Sequence, residues 1–478
     1  MKRNICHTFL LATAAWLLAS CGEDRTYEFL AKTEVDNWIE DQMQEVYLYY
    51  QDMPQLEQES YFRPPEEFFP MLLSSQDKFS YLETLPEVKK RNAIQPVTYG
   101  FDFEMGGDPT GTSSRQVARV LQVLPQSPAA QAGLQRGDFI VQADGRNLSN
   151  DNADLLRSGG GVALTVLPLL TDEETGLQQW GTDTLKCTLQ PAVAMENNPF
   201  YLARVYEQGG MKVGYLVYNE FKKGVGDEDN TYMDQMLQVF QSFKQQGVEE
   251  FILDLRYNQG GYVVSAQLLA SLLAPADRLG QEFAHFVFSD KQQALNYSLP
   301  LLQEYAACNL GLDHLFIISG TYTASASEMM VNCLRPYMTV NLLGTRTVGK
   351  NVAMTQIDSP YGFTMYPVTS TVYNANGESD YASGFTPEYV ITENNYYPWR
   401  EMGDPDELLL RNALQWVAGQ TPADAENVSA PEEPEGTEEP DTTVRVRTWT
   451  ERGYSSIRRK GFPAAILPSR HAAQTLYK

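Results

Sequence analysis

Hydrophobic and polar positions follow three rhythms along this chain of 478 residues. From residue 22 to about 95, Val35, Ile39, Met43, Val46, Tyr47 and Tyr50 recur at near-helical intervals, the mark of an amphipathic helix. Pro64-Pro65-Glu66-Glu67 then opens a second helix through Phe68, Phe69, Met71 and Leu72, since proline is tolerated in a first turn. Residues 96 to 193 carry short β-type runs and many glycines. From 200 to 419 the pattern alternates: strand 212–221, helix 230–246, strand 250–255, helix 262–274, strands over 314–319 and 338–344 and around Thr364, and a helix over 406–417. Such alternation predicts an α/β core. Asn374-Ala375-Asn376-Gly377 reads as a hairpin turn. The expected class is multidomain α+β, with a helical segment (22–95), a β-rich domain (96–193), an α/β core (200–419) and a tail (420–478).

Three short blocks of the core carry candidate chemistry. Gly320-Thr-Tyr-Thr-Ala-Ser-Ala-Ser-Glu328 lies between the apolar run His314–Ser319 and a helix expected over Glu328–Leu334. It places Ser325 at a strand-to-helix junction, where a helix N-terminus favours developing negative charge. A serine hydroxyl needs a base to become a nucleophile. The chain has four histidines, of which His7 falls in the leader and His471 in the tail. His285 and His314 remain as bases for a Ser-His arrangement, without a recognisable catalytic context. Lys350 follows an apolar segment and the turn Thr345–Gly349. Alone it reads as a surface lysine; buried beside an apolar strand end, it would be a general base. Phe251-Ile-Leu-Asp-Leu-Arg-Tyr-Asn-Gln-Gly-Gly261 is a strand running into paired glycines, which let backbone N–H groups turn inward as an oxyanion hole.

Asp-Leu-Arg-x-Asn-x-Gly-Gly, Ser-Ala-Ser-Glu and Gly-Lys together resemble the C-terminal processing (tail-specific) peptidases, serine proteases with a Ser-Lys dyad. The separation of Ser325 and Lys350 matches that family's interval. The resemblance implies a ClpP/crotonase-like α/β protease core, Ser325 as nucleophile, Lys350 as base, and oxyanion donors among the backbone N–H groups of Gly260, Gly261 and Ala326. Many members carry a glutamine four residues after the lysine. That position here is Met354, so either Gln356 is the lysine's helper, in a loop two residues longer, or the helper is missing. Ser127–Gly145 resembles the centre of a PDZ domain, and Gly100, Phe101, Asp102 and Phe103 fall where such domains bind a terminal carboxylate while the peptide adds as an edge strand. Phe101 and Phe103 have a second reading, as filling of the small β core.

The ends and the bulk composition narrow the class. Lys2 and Arg3, an apolar stretch Phe9–Leu18 and Leu18-Ala-Ser-Cys21 form a leader over residues 1–21. The tetrapeptide resembles a bacterial lipobox, which implies acylation of Cys21. Gly22-Glu23-Asp24 resembles the acidic signal that sends lipoproteins of Bacteroidetes-type bacteria to the outer face. The expected location is therefore the bacterial cell envelope, lipid-anchored to the outer membrane. A net charge of −25 argues against nucleic acid as a partner. No Cys/His cluster has metal-ligand spacing, so neither metal nor cofactor is expected; Cys187, Cys308 and Cys333 leave a Cys308–Cys333 bridge open. Residues 421–441 hold eight acidic and no basic residues, and 442–478 hold eight Lys/Arg against one Glu. Both read as a disordered, solvated tail.

The function expected from these readings is a serine endopeptidase acting on protein or peptide substrates near their C-termini. The competing reading is a surface-anchored peptide-binding lipoprotein whose core turns over weakly or not at all. Oligomeric state is not legible in the sequence.

Overall fold

The computed structural model describes residues 26–91, 95–111, 113–171, 178–180, 184–224, 229–395, 397–425, 451–456 and 466–467. The leader, with Cys21, lies outside them. Two compact units result, Met1–Glu45 with Tyr49–Ser75 and Val46–Leu48 with Gln76–Lys478. In the first, helix α1 (Thr26–Val46) buries Ile39 and Met43, as the helical spacing predicts. The second expected helix is shorter: an α-turn over Pro65–Phe68 passes into a 3-10 turn over Phe69–Leu72. Pro70 has no N–H to continue an α-helix, and its ring crowds the carbonyl one turn back.

The β-rich domain is an antiparallel sheet of β1 (Phe101–Gly107), β2 (Gln116–Val123), β3 (Phe139–Ala143), β4 (Val162–Leu167) and β5 (Leu185–Leu189), ordered β5-β4-β3-β2-β1. Its core gathers Phe101, Phe103 and Met105 from β1 with Val120, Ile140 and Leu164. Both phenylalanines of the candidate peptide loop are thus core residues. Ser127 Oγ accepts the Ala130 N–H at 3.1 Å and caps the short helix Pro128–Gln131.

The α/β core is built on β6 (Phe200–Gln208), β7 (Met211–Tyr218), α2 (Thr231–Gln246), β8 (Glu250–Asp254), α3 (Val263–Leu273), β9 (Glu282–Phe288), β10 (Tyr297–Pro300), β11 (His314–Ser319), α4 (Ala326–Leu334), β12 (Thr339–Gly344), β13 (Val352–Thr355), β14 (Val368–Tyr373), β15 (Tyr389–Val390) and α5 (Leu408–Val417). The main sheet runs β6-β7-β8-β11-β12-β15, antiparallel between β6 and β7 and parallel from β7 on. Successive side chains point to opposite faces. Leu216, Tyr218, Phe251, Leu253, Leu315 and Ile317 pack with α2, α3 and α4, while Tyr215, Val217, Ile252, Phe316 and Ile318 pack with α5. Burial on both faces is why these strands read as near-continuous apolar runs.

A second sheet contains β10-β9-β14-β13. The Asn374–Gly377 turn forms, with the Gly377 N–H on Asn374 O at 2.9 Å, but it ends β14 and no strand pairs back across it among the described residues. The local turn preference was sound; the hairpin lacked a second apolar run. The tail departs from the solvated segment expected. Residues Glu451–Ser455 form β16, antiparallel to β1, and Ile466–Leu467 form β17, parallel to β13. Both find open sheet edges, whose unpaired backbone groups accept a strand. Cys187, Cys308 and Cys333 are free thiols.

Candidate active site

Ser325 sits at the N-cap of α4, after a five-residue turn from the end of β11. Its φ of 59° lies in the region non-glycine residues rarely adopt, which costs about 1–3 kcal/mol of backbone strain and persists only where neighbours over-determine it. They do. The Ala324 N–H and the Ser327 hydroxyl both donate to Asn258 O, at 3.2 and 3.0 Å, and Thr323 Oγ1 donates to Leu255 O at 2.8 Å. The turn is therefore tied to the end of β8. Ser325 is 1% exposed and its Oγ has no hydrogen-bond partner among the described residues. A buried hydroxyl left without a partner is costly and needs a reason.

Glu328, one helical turn after Ser325, organises the site. Its Oε2 accepts the Ser325 N–H at 2.9 Å and the Lys350 N–H at 2.7 Å; its Oε1 accepts the Gly349 N–H and the Thr347 hydroxyl, both at 2.6 Å. One carboxylate oxygen thus holds the backbone of Ser325 and Lys350 together, and their nitrogens can be no further apart than those two bonds end to end. Burial pushes the Glu328 pKa above the ordinary glutamate value, against the pull of the four donors. Sequence reasoning quoted Glu328 without giving it this role. The signal was present, because Ser-x-x-Glu at a helix start is the capping-box pattern.

Lys350 is 1% exposed. Its Nζ lies 3.5 Å from Met354 Sδ and 5.0 Å from the Phe79 ring centroid. No carboxylate oxygen lies within ion-pair distance among the described residues. Burial lowers the amine's pKa to about 7, although Asp77 and Glu328 both favour the charged form. Asp77 is fixed by the Tyr47 hydroxyl and by the N–H groups of Phe79 and Ser80. The surface-lysine reading is therefore wrong here. The two positions considered for the lysine's helper have different surroundings. Gln356 donates to Asp358 at 3.2 Å and is turned from the amine, while the thioether of Met354 occupies the place beside it.

The paired glycines approach the same point. Gly260 (φ 102°) and Gly261 (φ 139°) adopt backbone closed to other residues. A Cβ on Gly260 would lie 2.8 Å from Ser325 Cβ and 2.9 Å from both Ala324 O and Ala326 N. Of the three expected oxyanion donors, the Gly260 N–H is already given to Asn258 Oδ1 at 2.8 Å. Phe221 bridges Gly261 through bonds to its neighbours, Phe221 N to Gly260 O and Tyr262 N to Phe221 O. That pattern points the Gly261 N–H to the opposite side. Gly261 and Ala326 therefore supply the free N–H groups. The two histidines are elsewhere: His285 Nδ1 is 2.8 Å from Ser298 Oγ, and His314 pairs with Glu250 at the far end of β11. The remaining motif residues build a charge cluster. Arg256 contacts Asp254, Glu393 and Glu407, and Tyr215 donates to Asp254 at 2.8 Å.

Strand β1 of the small domain reaches this machinery twice. Glu104 pairs with Arg119 and accepts from the Tyr322 hydroxyl, three residues before Ser325. Asp102 accepts from Gln122, whose Oε1 accepts from Asn219 at 3.0 Å, two residues before Phe221.

Comparison with known proteins agrees with this layout. The description Peptidase family S41 matches residues 212–391, the Peptidase S41 N-terminal domain matches 34–81, and a PDZ domain matches 119–167. A crystal structure of a Bacteroides fragilis protein assigned to the S41 proteases aligns over 80% of this chain and 97% of its own, with 34% identity and a TM-score of 0.70. The chain belongs to peptidase family S41. Among curated S41 relatives, the carboxyl-terminal-processing protease of Picosynechococcus sp. is 27% identical over 307 residues, covering 62% of this chain and 66% of that protein. The Synechocystis sp. protein of the same name is 25% identical over 304 residues, covering 63% and 65%. This S41 chain thus spans about two thirds of the length of the curated relatives it matches.

Proposed function

We propose that the protein is a serine endopeptidase in which Ser325 is the nucleophile and Lys350 the general base. One observation carries the reading: a buried amine of pKa about 7 and an unpartnered buried hydroxyl belong to residues whose backbones share Glu328 Oε2. Neutral Lys350 takes the Ser325 proton as Oγ attacks the scissile carbonyl. The N–H groups of Gly261 and Ala326 receive the oxyanion, each donor lowering the barrier by about 3 kcal/mol. The lysine then protonates the leaving amine, and water hydrolyses the acyl-enzyme with Lys350 again as base. The names of the curated relatives, together with the PDZ domain, support substrates engaged near their C-termini, with β1 as the strand a substrate joins.

The test is cleavage of a labelled, denatured protein by the purified chain beside Ser325→Ala and Lys350→Ala. Activity lost in both supports the dyad; Lys350→Ala retaining full activity overturns it. The methionine in place of the family's glutamine favours one other reading, a peptide-binding protein with a weak core. That reading wins if wild type binds peptides and cleaves none. Anchoring at Cys21 in the cell envelope rests on the leader alone, and mass spectrometry of the N-terminal peptide, with Cys21→Ala as control, decides it.

A further inference from the structure

Both strand edges along the proposed peptide path are filled by one segment of this same chain. On β1, β16 adds antiparallel with Glu451 opposite Gly106 and Ser455 opposite Glu104. The Ser456 N–H donates to Phe103 O at 2.8 Å, the Phe103 N–H donates to Ser456 Oγ at 2.8 Å, and that hydroxyl donates to Asp102 Oδ1 at 2.8 Å. This is where an external peptide would join the sheet, on the residues the sequence marks as the peptide loop. Further on, β17 pairs with β13, with Ile466 opposite Met354 and Leu467 opposite Thr355. Met354 is the residue whose sulfur faces the Lys350 amine.

We propose that residues 451–456 and 466–467 are built-in occupants of the peptide path, bound in cis at the β1 edge and at the β13 edge, which an external polypeptide must displace. The proposal rests on the reading of β1 as the substrate-binding strand. A tethered segment competes at an effective concentration of about a millimolar, so a cis contact with an intrinsic Kd of about 0.1 mM weakens an external ligand about ten-fold. The contacts seen are backbone pairings plus one serine hydroxyl, a chemistry that accepts many sequences. The expected partner is accordingly an extended, unfolded chain, recognised by its backbone.

Binding is measured in the full chain carrying Ser325→Ala, so that nothing depends on turnover. The probe is a fluorescent peptide with the sequence of residues 449–468. Ser456→Pro removes the N–H given to Phe103 O, and Ile466→Pro places a proline ring, disfavoured within a ladder, in the pairing with β13. The double variant should bind the probe about ten-fold more tightly, or better, than the parent. Amides of β1 and β13 should exchange faster in the variant, and saturating probe should restore their protection. Equal affinity in parent and variant, binding to neither, or unchanged exchange each overturns the proposal. Because none of these readouts needs cleavage, a failed peptidase assay would not be mistaken for failure here.

Discussion

Two buried cations, Arg256 just after β8 in the main sheet and Lys350 just before β13 in the second, are treated oppositely by the protein. Arg256 is 2% exposed and fully paired, with Asp254, Glu393 and Glu407 around its guanidinium. Burial would lower its pKa, yet these carboxylates hold it well above the ordinary value. Lys350 is equally buried and has a thioether and a phenyl ring for near neighbours. With its carboxylates committed elsewhere, desolvation wins and the amine is half neutral near pH 7. The contrast separates structure from chemistry: a paired buried charge fixes packing, whereas an unpaired one gives up its proton. Glu328 enforces the difference. It lies close enough to bind the Lys350 backbone, but its four acceptor positions are taken by Ser325, Thr347, Gly349 and Lys350 backbone or hydroxyl donors.

The contrast is broken most severely at the dyad. Ser325→Ala and Lys350→Ala should each lower kcat/KM by at least about a thousand-fold, roughly 4 kcal/mol, in a steady-state peptidase assay. Removing the paired cation acts on stability instead. Arg256→Met takes the guanidinium from the buried carboxylates of Asp254 and Glu407 and should cost about 3–5 kcal/mol, read by urea unfolding. Lys350→Met should have the opposite sign. The folded pKa of about 7 is below the unfolded lysine value of about 10.4. Between these values the unfolded state binds more protons, so wild-type stability rises with pH across that window. Lys350→Met removes the penalty and should raise Tm most near and below pH 7.

Smaller effects sharpen the same picture. Gly260→Ala forces a Cβ against Ser325, Ala324 and Ala326 and should lower kcat about a hundred-fold, while peptide binding at β1 persists. The pH profile of kcat/KM should rise through about pH 7, as Lys350 loses its proton; a flat profile between pH 6 and 8 would contradict a lysine base. Met354→Gln puts an amide oxygen beside the amine, favours its charged form, and should move that limb upward by about one pH unit or less.

Much of this site was legible as motif. Ser325, Lys350 and the glycine pair lie where strand ends were expected, because strands buried on both faces leave unbroken apolar runs and glycines mark the sharp turns after them. The capping-box glutamate was equally visible and went unused. Gln356 shows the limit of counting along the chain: the nearest residue of the right type lies just past the end of β13 and is bonded to Asp358, while Met354 stands beside the amine.

Local sequence thus determined the strands, the helix starts and the identity of the reacting groups, all set by interactions within a few residues. The tertiary structure alone decided which lysine is dry, which glycine N–H is already spent on Asn258, and where β16 and β17 dock. Those outcomes depend on groups brought together from far apart in the chain, and neither desolvation nor an open sheet edge leaves a mark on the local pattern.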